Sequence, residues 1–435
     1  MPQNQPSAPW HWSSCIAFRF LFASFLLAFG PALIGAVPFL GGAGAWVDEA
    51  VQPFYAWVAH AAFGLEITVF PNGSGDTTYN WVQFAANLAM ASVVASAWSA
   101  LDRRRASYPW AKDGLWIAMR FTLASAMFGY GLAKVYCLQF PEPGVHRLLQ
   151  SYGDSSPMGL MWTFMGASEP YQMFAGWMEV AGGLLLCFRR TQLAGALVTA
   201  GVMTNVFVLN MCYDIPVKLY SFQLLALALV IAAPDVPRLV RLFALNRPVP
   251  RADLRGPWTR SALRRAATTV KFLWIAATLV ALAFEMADQR KSYGDAAPRG
   301  PLDGTWEVVG FRRDGVEIPP LATEATRWRF VTLIDLPEFA QVIVRPMAGT
   351  DGRWLFARNG EVIELREMTV AAGGDRTKAR LAGTITAVPE GADGLRVSGE
   401  VEGSRIEAVC TRRSPKDFLL RNRGFRWVNE FPFNR

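Results

Sequence analysis

The chain has 435 residues, 52% of them hydrophobic, and a formal net charge of +8. Long apolar segments fill the first two-thirds, whereas polar and apolar residues alternate in the last third, which predicts a membrane domain followed by a soluble one. From Pro301 onward 20 Lys and Arg face 19 Asp and Glu, so the positive surplus lies among the apolar segments and does not indicate nucleic-acid binding. Five scattered cysteines and three separated histidines indicate neither a disulfide framework nor a metal site.

The apolar segments predict seven transmembrane helices, since about 20 apolar residues cross a bilayer. The predicted spans are 16–40, 81–101, 114–138, 171–188, 192–211, 217–233 and 269–286. The first is either a cleaved signal sequence or an uncleaved span. Its length and the lack of a clean cleavage pattern favour an uncleaved span.

Basic residues occupy alternate loops and predict the orientation. Arg103–Arg105 follow the second span, Arg189 and Arg190 follow the fourth, and an arginine-rich loop follows the sixth, whereas residues 41–80 contain no Lys or Arg. Because basic loops stay in the cytoplasm, we expect a multi-pass protein of the bacterial plasma (inner) membrane. Its N-terminus would be cytoplasmic and its C-terminal domain extracytoplasmic.

Two of the outer segments are more than linkers. Residues 45–70 are apolar but carry four ionisable side chains, which favours an interfacial helix over another crossing. Residues 139–168 are rich in Pro, Gly and Ser and predict a structured external loop that caps the helical bundle.

Glu179 lies near the middle of the apolar segment 171–188, with Gly176, Gly182 and Gly183 around it. An ionisable group near the centre of a span costs roughly 2.5–3.5 kcal/mol unless a partner or water receives it. The small glycines let another helix approach closely. Glu179 therefore indicates an interior polar site, in which it is either a structural carboxylate or a proton-accepting or ligand-binding acid.

The third predicted span offers two basic partners. Arg120 and Lys134 are fourteen residues apart and so lie on one helix face, with Tyr130 to one side. Both cations either snorkel to the nearest interface or belong to the interior site. Since Arg120 lies deeper, we expect it to pair with Glu179.

The remaining candidates lie on other segments. Asn205 on the fifth span joins Tyr130 as a candidate cofactor-binding residue. Cys137 and Cys212 lie at the outer ends of their spans, where an oxidising compartment would permit a disulfide; the alternative is two unrelated thiols.

These residues carry a resemblance to a known family. The runs Met119-Arg120 and Phe128–Lys134, followed by the run that begins at Glu179, resemble the signatures of DoxX-like membrane proteins. The resemblance covers residues 114–235 and implies a compact four-helix bundle. It further implies redox roles, such as donating thiosulfate electrons to quinone or partnering oxidative-stress and sulfur metabolism. A more distant similarity is to membrane domains of carboxylase type.

The C-terminal part predicts a small β-barrel. Eight short strands, joined by tight turns, are predicted at 302–311, 327–334, 339–345, 353–358, 361–369, 378–387, 394–401 and 404–412. Gly304 and Trp306 form a Gly-x-Trp motif that resembles the entry strand of lipocalin-like barrels. The barrel is either filled by its own side chains or binds a lipid or small ligand.

The predicted domains are 1–113 with two spans and the interfacial segment, 114–235 with the DoxX-like bundle, 236–294 with the basic loop and last span, and 295–435 with the barrel. The first functional hypothesis is a membrane redox component that exchanges electrons with quinone through Arg120, Lys134 and Glu179; if it is an enzyme, it is a membrane oxidoreductase. The alternatives are a non-catalytic membrane binding or assembly protein, or a carrier of lipids or small molecules that uses the barrel.

Overall fold

The computed structural model describes residues 9–35, 41–69, 73–252, 254, 258, 260–336, 340–359, 362–368 and 379–434. The chain forms two compact units. The helical unit comprises Met1–Val135 and Phe174–Ala283, and the barrel unit comprises Tyr136–Met173 and Phe284–Arg435. The predicted fold class, a mainly helical membrane region with a C-terminal β-barrel, is confirmed.

The described helices, in chain order, are α1 Trp12–Gly35, α2 Gly41–Phe63, α3 Thr78–Leu101, α4 Pro109–Val135, α5 Val145–Leu148, α6 Pro157–Gly166, α7 Glu169–Leu186, α8 Gln192–Cys212, α9 Lys218–Ala232, α10 Val236–Leu239, α11 Ser261–Ser292 and α12 Leu419–Asn422. In the part of the chain that the structure describes, six helical stretches are long and apolar enough to cross a membrane: Trp12–Ile34, Thr78–Leu101, Pro109–Val135, Gln192–Cys212, Lys218–Ala244 and Ser261–Ser292. Each coincides with a predicted span.

Helix α7 covers the remaining predicted span, 171–188. It has 18 residues, and Glu169, Gln172 and Glu179 lower its apolar content, so it is not one of the six candidate spans. Between Gly176 and Gly183 it nevertheless packs along α4, which is a candidate span. The orientation of the termini stays a prediction.

The N-terminal helices form a packed group rather than separate segments. Helix α2 packs against α1 and α3, and the Tyr55 hydroxyl donates a 2.7 Å hydrogen bond to Asn87 of α3. The helical character predicted for the 45–70 segment is confirmed over α2, and its interfacial position stays a prediction.

Arg19 ties α1 to the connection between α3 and α4. Its buried guanidinium donates to the Ser99 hydroxyl and the Asp102 carbonyl, both at 2.8 Å, and to the Tyr108 hydroxyl at 2.6 Å. A buried cation needs such partners, so α1 is an integral part of the helical unit. That α1 is an uncleaved span stays a prediction.

Asp76 ties the N-terminal helices to α9. Its carboxylate accepts the backbone N–H groups of Lys218 and Leu219 at 2.7 and 2.9 Å, at the start of α9. A helix N-terminus presents unpaired N–H groups and a positive partial charge, and a carboxylate satisfies both. Asp76 thus caps a helix more than 140 residues away along the chain.

The described residues of the barrel unit form nine strands: β1 Gly304–Arg313, β2 Val316–Glu317, β3 Trp328–Asp335, β4 Ala340–Pro346, β5 Gly352–Asn359, β6 Val362–Glu367, β7 Leu381–Glu390, β8 Gly394–Val401 and β9 Ser404–Arg413. Strand β1 pairs with both β3 and β9, and all pairs are antiparallel, which closes an eight-stranded barrel. The short β2 folds back on the end of β1. The eight predicted strands are confirmed, with ends within about three residues.

Alternating side chains from every barrel strand point into its interior and form one buried apolar core. The core includes large residues such as Trp306, Phe311, Trp328, Trp354 and Phe356. This buried core is what the packed-barrel interpretation predicts, and ligand binding by the barrel stays a prediction.

Residues 139–168, expected to cap the helical bundle, lie within the segment Tyr136–Met173, which belongs to the barrel unit. His146 and Leu149, in and after α5, line a small pocket with Phe330, Thr332 and Ile343 of the barrel. These three barrel residues are buried although they point away from the interior. The segment therefore covers the outer face of β3 and β4.

Candidate functional site

Glu179 forms a buried ion pair with Lys134. The Lys134 Nζ lies 2.8 Å from Oε1 and 2.9 Å from Oε2 of Glu179. Glu179 is only 3% exposed and Lys134 only 6%. The expectation that Arg120 pairs with Glu179 is wrong. Helix α4 meets α7 near Lys134, so the lysine rather than the deeper arginine reaches the carboxylate.

Glycines bring the two backbones together at this point. A Cβ on Gly176 would lie 2.5 Å from the carbonyl oxygen of Gly131, and one on Gly131 would lie 2.8 Å from that of Gly176. Gly183 faces Phe128 of α4, and Gly182 faces Thr199 of α8, each too closely to accept a side chain. The prediction that these glycines permit close helix approach is confirmed. The close contact lets a lysine side chain span the gap to Glu179.

Arg120 contacts α7 at a different place. Its buried guanidinium donates through Nε a 2.8 Å hydrogen bond to the carbonyl oxygen of Leu186, the last residue of α7. The last carbonyls of a helix lack intrahelical partners and carry negative partial charge, which suits an arginine. The prediction that Arg120 and Lys134 share one face of α4 is confirmed, since both reach α7.

Tyr130 lies one turn before Lys134 on α4. Its ring centroid is 5.8 Å from the lysine Nζ and 6.1 Å from the ring of Tyr220 on α9. Tyr130 is 41% exposed, so this ring connects the buried pair to the surface of the helical unit.

Asn205 is exposed on α8. Among the described residues, no hydrogen bond joins it to the Lys134–Glu179 pair. The buried amide on this helix is that of Asn210, which donates to the Ser221 hydroxyl at 3.0 Å and so links α8 to α9.

Cys137 and Cys212 are both free thiols in this structure. Cys212 is exposed at the end of α8, and Cys137 is partly exposed two residues after the end of α4. Cys137 adopts a positive φ of 56°, which ends the helical path of α4.

The Gly-x-Trp motif begins β1 and lies at one end of the barrel. Gly304 has a φ of +146°, and the guanidinium of Arg412 lies 3.1 Å from where its Cβ would be. Trp306 is buried and donates its indole N–H to the carbonyl of Leu302 at 3.2 Å. Arg412, on β9, lies over the Trp306 ring at 5.2 Å. Arg412 was missed by the sequence reasoning, because nothing in the chain marks which arginine crosses to the tryptophan.

A pocket of about 790 Å³ opens beside this end of the barrel. It is lined by residues that directly follow two candidate spans, namely Cys137 after α4 and Tyr293 after α11. Arg412, Arg421 and the N-terminal residue of α7, Glu169, line it as well. Arg421 pairs with Glu142 and Arg299 with Asp303, and Glu169 and Asp295 also line the pocket, so the pocket is polar but close to neutral.

Comparisons with known proteins give one informative match. No family model and no solved structure matches the chain. Over 124 residues, the chain is 32% identical to the uncharacterized protein YwoB of Bacillus subtilis (strain 168). The match covers 28% of this chain and 79% of YwoB.

The chain belongs to the YwoB family. The name of YwoB assigns no activity, so membership of the YwoB family leaves the chemistry to be argued from the residues. The DoxX-like resemblance stays a prediction.

In this member of the YwoB family, the Lys134–Glu179 pair is best suited to hold two helices together. Both carboxylate oxygens accept from the same ammonium group, and the helix backbones touch within two turns of the contact.

Proposed function

We propose that this YwoB-family chain is a non-catalytic binding or assembly protein of the membrane, of DoxX-like type. The observation that carries the proposal is the closed geometry of the Lys134–Glu179 pair. The pair joins α4 to α7, it is almost fully buried, and the two side chains satisfy each other. Such a pair stabilises one helix arrangement rather than presenting a reactive group.

The barrel supports the same proposal. Its interior contains a buried apolar core with four large aromatic residues from β1, β3 and β5: Trp306, Phe311, Trp328 and Trp354. A carrier that holds its ligand inside the barrel is therefore disfavoured. What the barrel unit offers to a partner is its outer surface and the external pocket beside Arg412.

The test is the state of the chain in gently solubilised native membranes, together with the effect of Glu179→Gln. We expect the chain to elute with a mass above that of its own detergent-bound form, and Glu179→Gln to lower thermal stability. Elution as the isolated chain alone would contradict the assembly role.

A second candidate is a quinone-linked redox component, and Tyr130 is the observation that favours it. Its half-exposed ring lies against the buried ammonium of Lys134, so a molecule dissolved in the lipid would reach a polar group there. Mass spectrometry of the purified chain distinguishes the two candidates. Quinone that copurifies near one to one, and is lost in Glu179→Gln at unchanged stability, would favour the redox role over the assembly role.

A further inference from the structure

The C-terminal residues after α12 form a small aromatic projection, here called the aromatic tail and comprising residues 423–434. Its apolar side chains point outward: Trp427 is 91% exposed, and Phe425, Val428 and Phe431 are also largely exposed. Monomeric soluble domains rarely expose so many large apolar residues within a few positions, and such clusters mark interaction sites.

The aromatic tail is nevertheless ordered by contacts of its own. Arg423 donates to the side-chain oxygen of Asn429 at 2.7 Å and lies over the ring of Phe433 at 4.0 Å. The rings of Phe425 and Trp427 meet edge to face with centroids 5.0 Å apart. The backbone is therefore folded in a way that presents the aromatic rings instead of burying them.

The position of the aromatic tail identifies its partner. Arg421, two residues before it, lines the 790 Å³ pocket together with Cys137 and Tyr293. Cys137 lies two residues after the candidate span α4, and Tyr293 directly follows the polar last turns of the candidate span α11, so the pocket lies near the ends of both helices. The aromatic tail thus begins beside the membrane–water boundary.

We propose that the aromatic tail inserts into the headgroup region of the membrane and anchors the barrel unit to the lipid surface. Trp and Phe are favoured at this depth, where amphipathic segments bury their apolar side about 5–10 Å below the surface. Arg423 and Arg426 lie among the aromatic residues along the chain and supply positive charge for lipid phosphates. The bound partner is the bilayer itself, not a protein.

The test places a fluorescent label at position 427 of the full chain reconstituted in vesicles. The parent carries Cys212→Ser, which removes the exposed native thiol, and the parent treated alone with the label gives the background. Trp427→Cys then receives an environment-sensitive label. The matched control is Val316→Cys, an apolar residue that is 63% exposed on β2, at the opposite end of β1 from Gly304.

The vesicles contain phosphatidylcholine and a minor share of phosphatidylglycerol, with or without a lipid that carries a nitroxide near its headgroup. We expect the nitroxide lipid to reduce the emission at position 427 by roughly half or more, because the label lies within about 10 Å of the quencher. Emission at position 316 is expected to stay nearly unchanged. Equal, weak quenching at both positions would overturn the proposal.

A second measurement separates lipid from protein as the partner. Iodide in the aqueous phase should quench position 427 less than position 316 if lipid covers the aromatic tail. Shielding from iodide without quenching by the nitroxide lipid would mean that a protein surface, such as a second copy of the chain, covers it, and this result would also overturn the proposal.

Discussion

The substitution Glu179→Gln is the sharpest test of the buried pair. It keeps the size of the side chain and one oxygen acceptor, but it removes the negative charge that lies 2.8 Å from the Lys134 ammonium. Removing one partner of a buried pair leaves an uncompensated charge and typically costs about 3–5 kcal/mol. Because glutamine retains one of the two hydrogen bonds, we expect a loss at the lower end, about 3 kcal/mol.

The measurement is the free energy of unfolding of the purified chain in mixed micelles, titrated with a denaturing detergent. The double variant Lys134→Met with Glu179→Leu removes both charges and fills similar volume, so it should recover most of the loss. Asp214→Asn is the matched surface control, since it breaks the Lys218–Asp214 pair, whose carboxylate is 85% exposed. Exposed pairs contribute little, so this control should lose less than about 1 kcal/mol.

The reasoning would be refuted in either of two ways. If Glu179→Gln unfolds with the same free energy as the native chain, the pair does not hold α4 and α7 together. If the double variant is as unstable as the single one, the loss comes from altered packing and not from an unpaired lysine charge.

Three further predictions concern other contacts. Gly176→Leu should prevent the close packing of α4 and α7, because even a Cβ there would lie 2.5 Å from a backbone oxygen. We expect size-exclusion chromatography to show loss of folded protein. The control Gly201→Leu should be tolerated, because a Cβ at Gly201 meets open space. Asp76→Ala should cost roughly 1–2 kcal/mol by removing the cap of α9, measured in the same micelle titration, and Asp76→Asn should recover part of it. Burial and nearby arginines lower the pKa of His146 to about 4 in the folded chain. Because the unfolded chain binds this proton already below about pH 6.5, the stability of the fold should decrease as the pH falls from about 6.5 towards 4. His146→Leu should flatten the slope of melting temperature against pH in that range, and an unchanged slope would contradict the prediction.

Much of the architecture follows from patterns that the sequence carries locally. A bilayer requires long apolar segments, so length and hydropathy were enough to predict the six candidate spans. Strands of a small barrel alternate in character and are separated by turn residues, so all eight were predicted close to their observed ends. The glycines around Glu179 indicated close helix contact because glycine, which has no side chain, lets helix backbones approach most closely.

Only the tertiary structure shows which side chains of the helical unit contact one another. Arg120 and Lys134 both lie on the correct face of α4, but the height at which α7 crosses that face decides which one meets Glu179. That height depends on the packing of Gly131 against Gly176, a contact between distant parts of the chain. The hydrogen bonds that Arg19 and Asp76 make to distant parts of the chain likewise depend on how the helices pack, and no local sequence pattern indicates them.

For the barrel, too, the sequence predicted the elements, and the tertiary structure showed how they and the segment Tyr136–Met173 pack. Alternation in the strands predicted a barrel, but whether its interior holds a ligand or its own side chains depends on their combined volume in three dimensions. The segment Tyr136–Met173 lies between two helices in the sequence, yet it covers the barrel, because it buries apolar residues such as Phe330 and Ile343 there. The sequence by itself determined which segments are helices and strands and that a charge lies buried among glycines. Only the tertiary structure decided which residues meet, because contacts between distant segments depend on how whole elements pack.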